Sequence, residues 1–313
     1  LPADPLLPVV SGRPSRTRAS ARSQVWLRRV PLMPALLFMI VVTQVPFVAT
    51  LWYSLRSWNT QIPGTNKFVG LHEYVLAFKD SQFLQAAERT VEITASAVVL
   101  AMLLGTSLAV LVNRRFVGRG VVRTLLITPF LVMPVATDLL FKTTIFDPTF
   151  GFLDWVLKPF GVGQENWVGS HAVASVVLVL VWEWSPFMML IVLAGLQGED
   201  LEALEAARVD GAGTFKTFVF ITLPYVRRYI ELGLLLGSIY IVQTFSEIFI
   251  ITQGGPGTAT TTLPYYLYEQ VFQSYTVGAG AAAGVIVVIL TEVVATFALR
   301  LLSGLLTASA AAA

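Results

Sequence analysis

The segment AVASVVLVLVWEWSPFMMLIVLAGL, residues 172–196, carries a single charged side chain, Glu183. A helix rises about 1.5 Å per residue and a bilayer's hydrocarbon is roughly 30 Å thick, so this run predicts a membrane span. Working outward, similar runs occur at 30–55, 91–112, 121–140, 229–251 and 277–302. Together they predict an all-α membrane protein of six transmembrane helices, with 30–302 as one spanning domain. The run at 121–140 is interrupted by Pro129, Pro134 and Asp138, which a span tolerates where neighbouring helices satisfy the freed backbone. Composition agrees: 55% of the residues are hydrophobic and 13% charged, against about a quarter charged in soluble domains.

The flanks read differently. Residues 1–29 are rich in Pro, Ser and Arg without apolar periodicity, and predict a disordered basic tail rather than a cleaved signal peptide. Residues 303–313 read as a C-terminal tail. Fifteen of the 21 Lys and Arg fall on one side of the predicted bundle, in the tail, at Arg114, Arg115, Arg119 and Arg123, in the 198–228 loop and at Arg300. The positive-inside rule therefore places both termini in the cytoplasm of a multi-pass plasma-membrane protein.

Several function classes are disfavoured. A net charge of +2 gives no strongly basic surface for nucleic acid. There is no cysteine for thiol chemistry, and His72 and His171 have no second ligand at metal-site spacing. No Gly-x-x-x-x-Gly-Lys-Ser/Thr loop or serine–histidine–acid arrangement occurs. The chain is thus expected to be a non-enzymatic subunit with no catalytic residue, metal or cofactor of its own.

The cytoplasmic loop 198–228 is the most informative stretch. Residues 201–209 form a helix segment with Leu201, Leu204 and Val209 set among Glu202, Glu205 and Arg208. Asp210-Gly211 breaks it, residues 215–223 predict a second short helix, and Pro224 leads into the next span. Short helices with exposed apolar and charged faces suit the docking of a soluble partner.

The pattern Glu205-Ala206-Ala207, three residues, Gly211, nine residues, Ile221-x-Leu223-Pro224 resembles the EAA motif of permease subunits in binding-protein-dependent ABC importers. Asp200 stands where many relatives have proline. Phe68-Val69-Gly70-Leu71 with Tyr74, Trp182, Pro186-Phe187, Leu193–Gln197, and Phe245, Glu247, Thr252, Gly254-Gly255-Pro256 are similar to the carbohydrate branch, of maltose-permease (MalF) type. The stretch 261–266, Thr-Thr-Leu-Pro-Tyr-Tyr, is similar to polyol permeases. The resemblance implies an importer of a sugar, oligosaccharide or sugar alcohol working by alternating access. It implies a homologous second permease, two ATPase subunits that bind ATP and Mg, and an extracytoplasmic sugar-binding protein. It makes Glu205, Ala206, Ala207, Asp210, Gly211, Leu223 and Pro224 the ATPase-coupling residues.

Polar groups inside spans mark candidate pathway residues, because charge in hydrocarbon is costly. Tyr240, Gln243, Thr244 and Glu247 recur at three- and four-residue spacing, which predicts one polar helical stripe suited to hydroxyl-rich solutes. Equally, such groups hold helices together. Glu183 and Asp138 are further candidates, with Glu231 at a helix end and Glu292 in the last span. One of Trp182 and Trp184 is expected to anchor at the membrane interface. An ATP-independent carrier or channel remains the alternative class, distinguished by needing no docking loop.

Overall fold

The computed structural model describes residues 30–114, 116–161 and 164–310. The expected basic tail, 1–29, lies outside them. The chain divides into two compact units, one ending at Thr50 and the other beginning at Leu51. Helix α1 (Met33–Ser54) crosses that boundary and carries no charged residue. In the first unit, the Thr43 and Thr50 hydroxyls donate to the carbonyls of Met39 and Pro46, four residues back, so an apolar helix hides its own polar atoms.

The second unit begins with a short hairpin, β1 (Arg56–Ser57) antiparallel to β2 (Lys67–Phe68), with Arg56 opposite Phe68. Helix α2 (His72–Lys79) follows, and the Tyr74 hydroxyl shares a 2.6 Å hydrogen bond with Ser54. Asp80 then caps α3 (Ser81–Asn113), accepting from the Gln82 N–H at 2.9 Å and from the Tyr266 hydroxyl at 2.6 Å. At 33 residues α3 is about 50 Å long, so it starts well before the expected span at 91.

The core is the packing of α3 against α6 (Ala172–Gln197), with α9 (Leu223–Ile241) laid across both. Ala97, Ala101, Gly105 and Ala109 repeat every four residues on α3 and are buried. Their small side chains let the backbones approach, and a Cβ at Gly105 would sit 2.8 Å from the Met189 N and Ser185 O atoms. Met102 and Met188 fill the space over Gly233 and Gly237 of α9. Unbranched thioethers suit such irregular gaps.

Two expected spans are not single helices. The run 121–140 forms α4 (Arg119–Leu131) and α5 (Pro134–Leu140), with the chain bent by 94° between them. Pro134 has no N–H to give to a preceding carbonyl and forces Met133 into extended backbone, ψ 127°, so the helix cannot continue. In the second case α9 ends at Ile241, residues 242–245 leave the helix, and a helical turn resumes at 246. Ile239, Ile241, Val242 and Thr244 are β-branched and weak helix formers, and the freed Thr244 carbonyl accepts from the Thr262 hydroxyl at 3.4 Å.

Among the described residues three helices are long and apolar enough to cross a membrane, or four if the bent pair counts as one span. The third and fifth expected spans are thus interrupted. Helix α10 (Leu263–Tyr268) and α11 (Val277–Ala310) complete the chain. Helix α11 runs past residue 302, where a tail was expected to begin. Its stretch Val277–Val293 is apolar.

Candidate functional site

The loop at 198–228 folds as α7 (Leu201–Val209) followed by α8 (Thr214–Thr217). Asp200 is the N-cap of α7, its carboxylate accepting from the Glu202 N–H at 2.9 Å. That gives the residue standing in place of proline a local task. Glu202 in the first turn and Arg208 in the last complement the helix dipole.

The C-terminus closes as a Schellman motif. The Ala212 N–H donates to Ala207 O at 2.9 Å and the Gly211 N–H to Arg208 O at 3.1 Å, with Gly211 at φ +78°. Ala207 is buried while Glu205, Ala206 and Asp210 face solvent. The apolar side chains of Leu201, Val209, Phe215 and Phe220 are also exposed, Val209 at 87%. Such residues on rigid short helices form an unfilled contact surface.

The loop is anchored at its foot. The Tyr225 hydroxyl donates to the Gly198 carbonyl, and Gly195 lies under the Tyr229 ring, 2.5 Å from where a Cβ would be. The Arg228 guanidinium rests 5.0 Å from the centroids of both tyrosine rings. Instead of an isolated helix over 215–223, α8 passes into α9 through one wide helical turn, Phe218–Thr222. The wider turn lets the chain proceed past Pro224, which lacks the N–H of a regular helix. Leu223 packs against the core cluster of α3 and α6.

Inside the bundle the expected polar stripe is divided, because the break at 242–245 interrupts the helix that would align it. Tyr240, 55% exposed, stacks on Trp184 with centroids 5.6 Å apart at 24°. Trp184 in turn meets Phe130 and Phe187 edge-on at 5.7 Å each, and those two stack on one another at 5.3 Å. Gln243 donates to Ile239 O at 2.9 Å and Thr244 is buried. Trp182 packs edge-on against Phe141. Both tryptophans are thus packed among aromatic rings of the fold. The four-ring cluster was not found from sequence: its members come from α4, α6 and α9, and only the Trp-x-x-Phe spacing of Trp184 and Phe187 hinted at a shared face.

The three remaining candidates converge. Asp138 of α5 accepts from the Ser246 hydroxyl at 2.5 Å, and Glu183 of α6 lies beside Glu247, just beyond the break in the fifth apolar run. All three are buried. Ser246 had no signal in the sequence. Glu231 instead pairs with Arg227 one turn earlier at 2.7 Å, and Glu292 is exposed.

Beyond the break, Gln253 and Gly254 turn the chain at φ 53° and 79°. Thr260, Thr261 and Thr262 are buried, with their hydroxyls donating to Gly255, Gly254 and Thr244 carbonyls. The stretch similar to polyol permeases is therefore engaged in holding this turn.

The solved structure of a bacterial ABC transporter involved in import of the acidic polysaccharide alginate includes a chain with the same fold. Its TM-score is 0.77 at 20% identity, covering 91% of this chain and 98% of that one. The probable ABC transporter permease protein y4oQ of Sinorhizobium fredii is 35% identical over 276 residues, 88% of each chain. The trehalose/maltose transport system permease protein MalF of Thermococcus litoralis is 34% identical over 234 residues, 74% of this chain and 79% of that one. Residues 97–307, which contain the 198–228 loop, the aromatic cluster and the three acids, match the family described as binding-protein-dependent transport system inner membrane component, and the chain belongs to that family.

Proposed function

We propose that this chain is one of two homologous permease subunits in an ATP-driven importer of a saccharide or sugar alcohol. The observation that carries the reading is the anchored loop of α7, whose exposed Leu201, Val209 and Phe215 await a protein partner. In this reading α7 seats in a cleft of an ATPase subunit. Glu205 and Asp210 supply charge, Ala206 permits close approach, and Gly211 sets the turn. Leu223 and Pro224 pass its movement to α9.

ATP binding draws two ATPases together, the paired loops follow, and the pathway changes from inward- to outward-facing. Each state then differs in its affinity for the solute. An extracytoplasmic binding protein delivers the solute, and hydrolysis resets the cycle. Both termini lie in the cytoplasm, in keeping with the arginine and lysine bias.

The solute class is supported by the trehalose/maltose relative and by the Tyr240–Trp184 stack. Aromatic faces pack against the C–H surfaces of sugar rings, and Tyr240 is 55% exposed for such a contact. Asp138, Glu183 and Glu247, buried in the bundle, are the remaining pathway candidates.

The test is solute-dependent ATPase activity of the co-purified complex in lipid, across disaccharides, polyols and glycerol phosphodiesters, with and without the binding protein. Stimulation by one polyhydroxy solute, abolished by Gly211→Asp, is the expected result. An absence of associated ATPase, with uptake driven by a proton gradient, overturns the reading in favour of a secondary carrier.

A further inference from the structure

Between the bent pair of helices and the start of α6, residues 146–161 turn their apolar side chains outward. Phe150, Phe152, Trp155 and Phe160 are each more than half exposed, Phe160 at 79%, and Phe152 stacks on Trp155 with centroids 5.9 Å apart. The polar groups, by contrast, are engaged within the segment and the residues just after it. The Asp154 carboxylate accepts from the Trp167 indole N–H at 2.6 Å and from the Glu165 N–H at 3.1 Å. Asp147 accepts from the N–H groups of Thr149 and Phe150 at 2.8 and 3.1 Å. Contiguous exposed rings of this kind mark a surface that meets an apolar partner.

The height of the segment is set by α6. Leu153 and Trp167 pack against the buried cluster of Phe146 and Val179, and Val179 stands two turns into α6. Trp167 also lies 5.6 Å from the ring of His171, the N-cap of α6, and its carbonyl accepts from the Ser175 hydroxyl at 3.0 Å. Helix α6 has 26 residues, about 39 Å, against roughly 30 Å of hydrocarbon, so its first turns stand at the level of the lipid headgroups. The exposed rings are held at that level too.

Two observations favour lipid over a protein as the partner. A protein interface carries on the order of ten direct hydrogen bonds, whereas both carboxylates of this segment are already occupied. In 146–161 the acids Asp147 and Asp154 are half-buried while Lys158 is exposed, which leaves a cation beside the rings. Aromatic rings with a basic side chain suit the boundary between acyl chains and anionic headgroups. We infer that residues 150–160 are an interfacial anchor, with the four rings at the edge of the acyl layer and Lys158 among anionic lipid headgroups. The Asp154–Trp167 hydrogen bond ties this anchor to the head of α6, so the bilayer surface holds α6 and the end of the bent pair together.

The chain has no cysteine, so single replacements Phe152→Cys, Trp155→Cys and Phe160→Cys each give one site in it for a nitroxide label. The probe is the complex, its other subunits made cysteine-free, in nanodiscs of phosphatidylethanolamine and phosphatidylglycerol. Relaxation by oxygen, which partitions into lipid, is compared with relaxation by a water-soluble nickel chelate, with spin-labelled lipids giving the depth scale. All three labels should collide more with oxygen than with nickel, at headgroup to upper-acyl depth, whereas a label at the exposed Gln61 should favour nickel. A second measurement leaves the segment unlabelled: the fluorescence difference between wild type and Trp155→Phe should be quenched by lipids brominated near the carbonyl end and spared by aqueous iodide. Labels that favour nickel as Gln61 does overturn the inference. So do labels shielded from both reagents, the mark of a protein cover, and a Trp155 signal quenched by iodide alone. Neither measurement uses solute or ATP, so both stand apart from the importer reading.

Discussion

Replacing Gly211 by alanine tests whether the turn after α7 must be held in one conformation. The added Cβ would meet no atom within 4 Å, so steric conflict with neighbours contributes nothing. The cost is in the backbone: a non-glycine residue at φ +78° is disfavoured by about 1–2 kcal/mol. That lowers the population of the closed Schellman turn by about 5- to 30-fold relative to arrangements without it. Gly213, two residues on, also has open space around it but sits at φ −69°. Gly213→Ala is thus the matched control, and Gly211→Asn, which tolerates the left-handed region, should be intermediate. The assay is solute-stimulated ATPase activity of the complex in lipid, paired with thermal melting of the permease. Gly211→Ala should lose stimulation by roughly the stated factor with its melting temperature nearly unchanged, because the loop lies outside the packed core. Equal losses at Gly211 and Gly213, or full stimulation in Gly211→Ala, would refute the reasoning.

Three further outcomes follow from the packing. Tyr240→Ala and Trp184→Ala should each weaken solute-dependent stimulation by about 2- to 10-fold, the worth of one aromatic contact, measured as the solute concentration for half-maximal ATPase activity. Gly105→Ala should lower the melting temperature sharply, since its Cβ would lie 2.6 Å from the Met188 Cβ and 2.8 Å from backbone atoms of α6, where nothing can yield cheaply. Asp200→Ala removes the N-cap of α7 and should cost about 1 kcal/mol of local stability, seen as faster amide exchange in residues 201–205 with the spans unaffected.

The amino-acid sequence determined whatever depends on neighbours along the chain. The apolar stretch at residues 172–196 became α6 almost to the residue, because a long apolar run in a membrane has to satisfy its backbone internally. The turn at Gly211 was equally plain, since only glycine reaches that backbone region cheaply. Pro134 announced trouble in the third run, but not that the chain would bend by 94°. The break after Ile241 was invisible, since no proline or glycine marks it and its freed Thr244 carbonyl is met by Thr262 from a later segment. Helical periodicity relates a residue to those three or four positions away, so it set Glu247 on a stripe with Tyr240 and Gln243. Packing relates positions of any separation, and it drew Glu247 to Glu183 and Asp138, and Trp184 to Tyr240 and Phe130. The long helices and the turn at Gly211 were therefore local properties, while the acid cluster and the aromatic cluster exist only because distant helices close on one another.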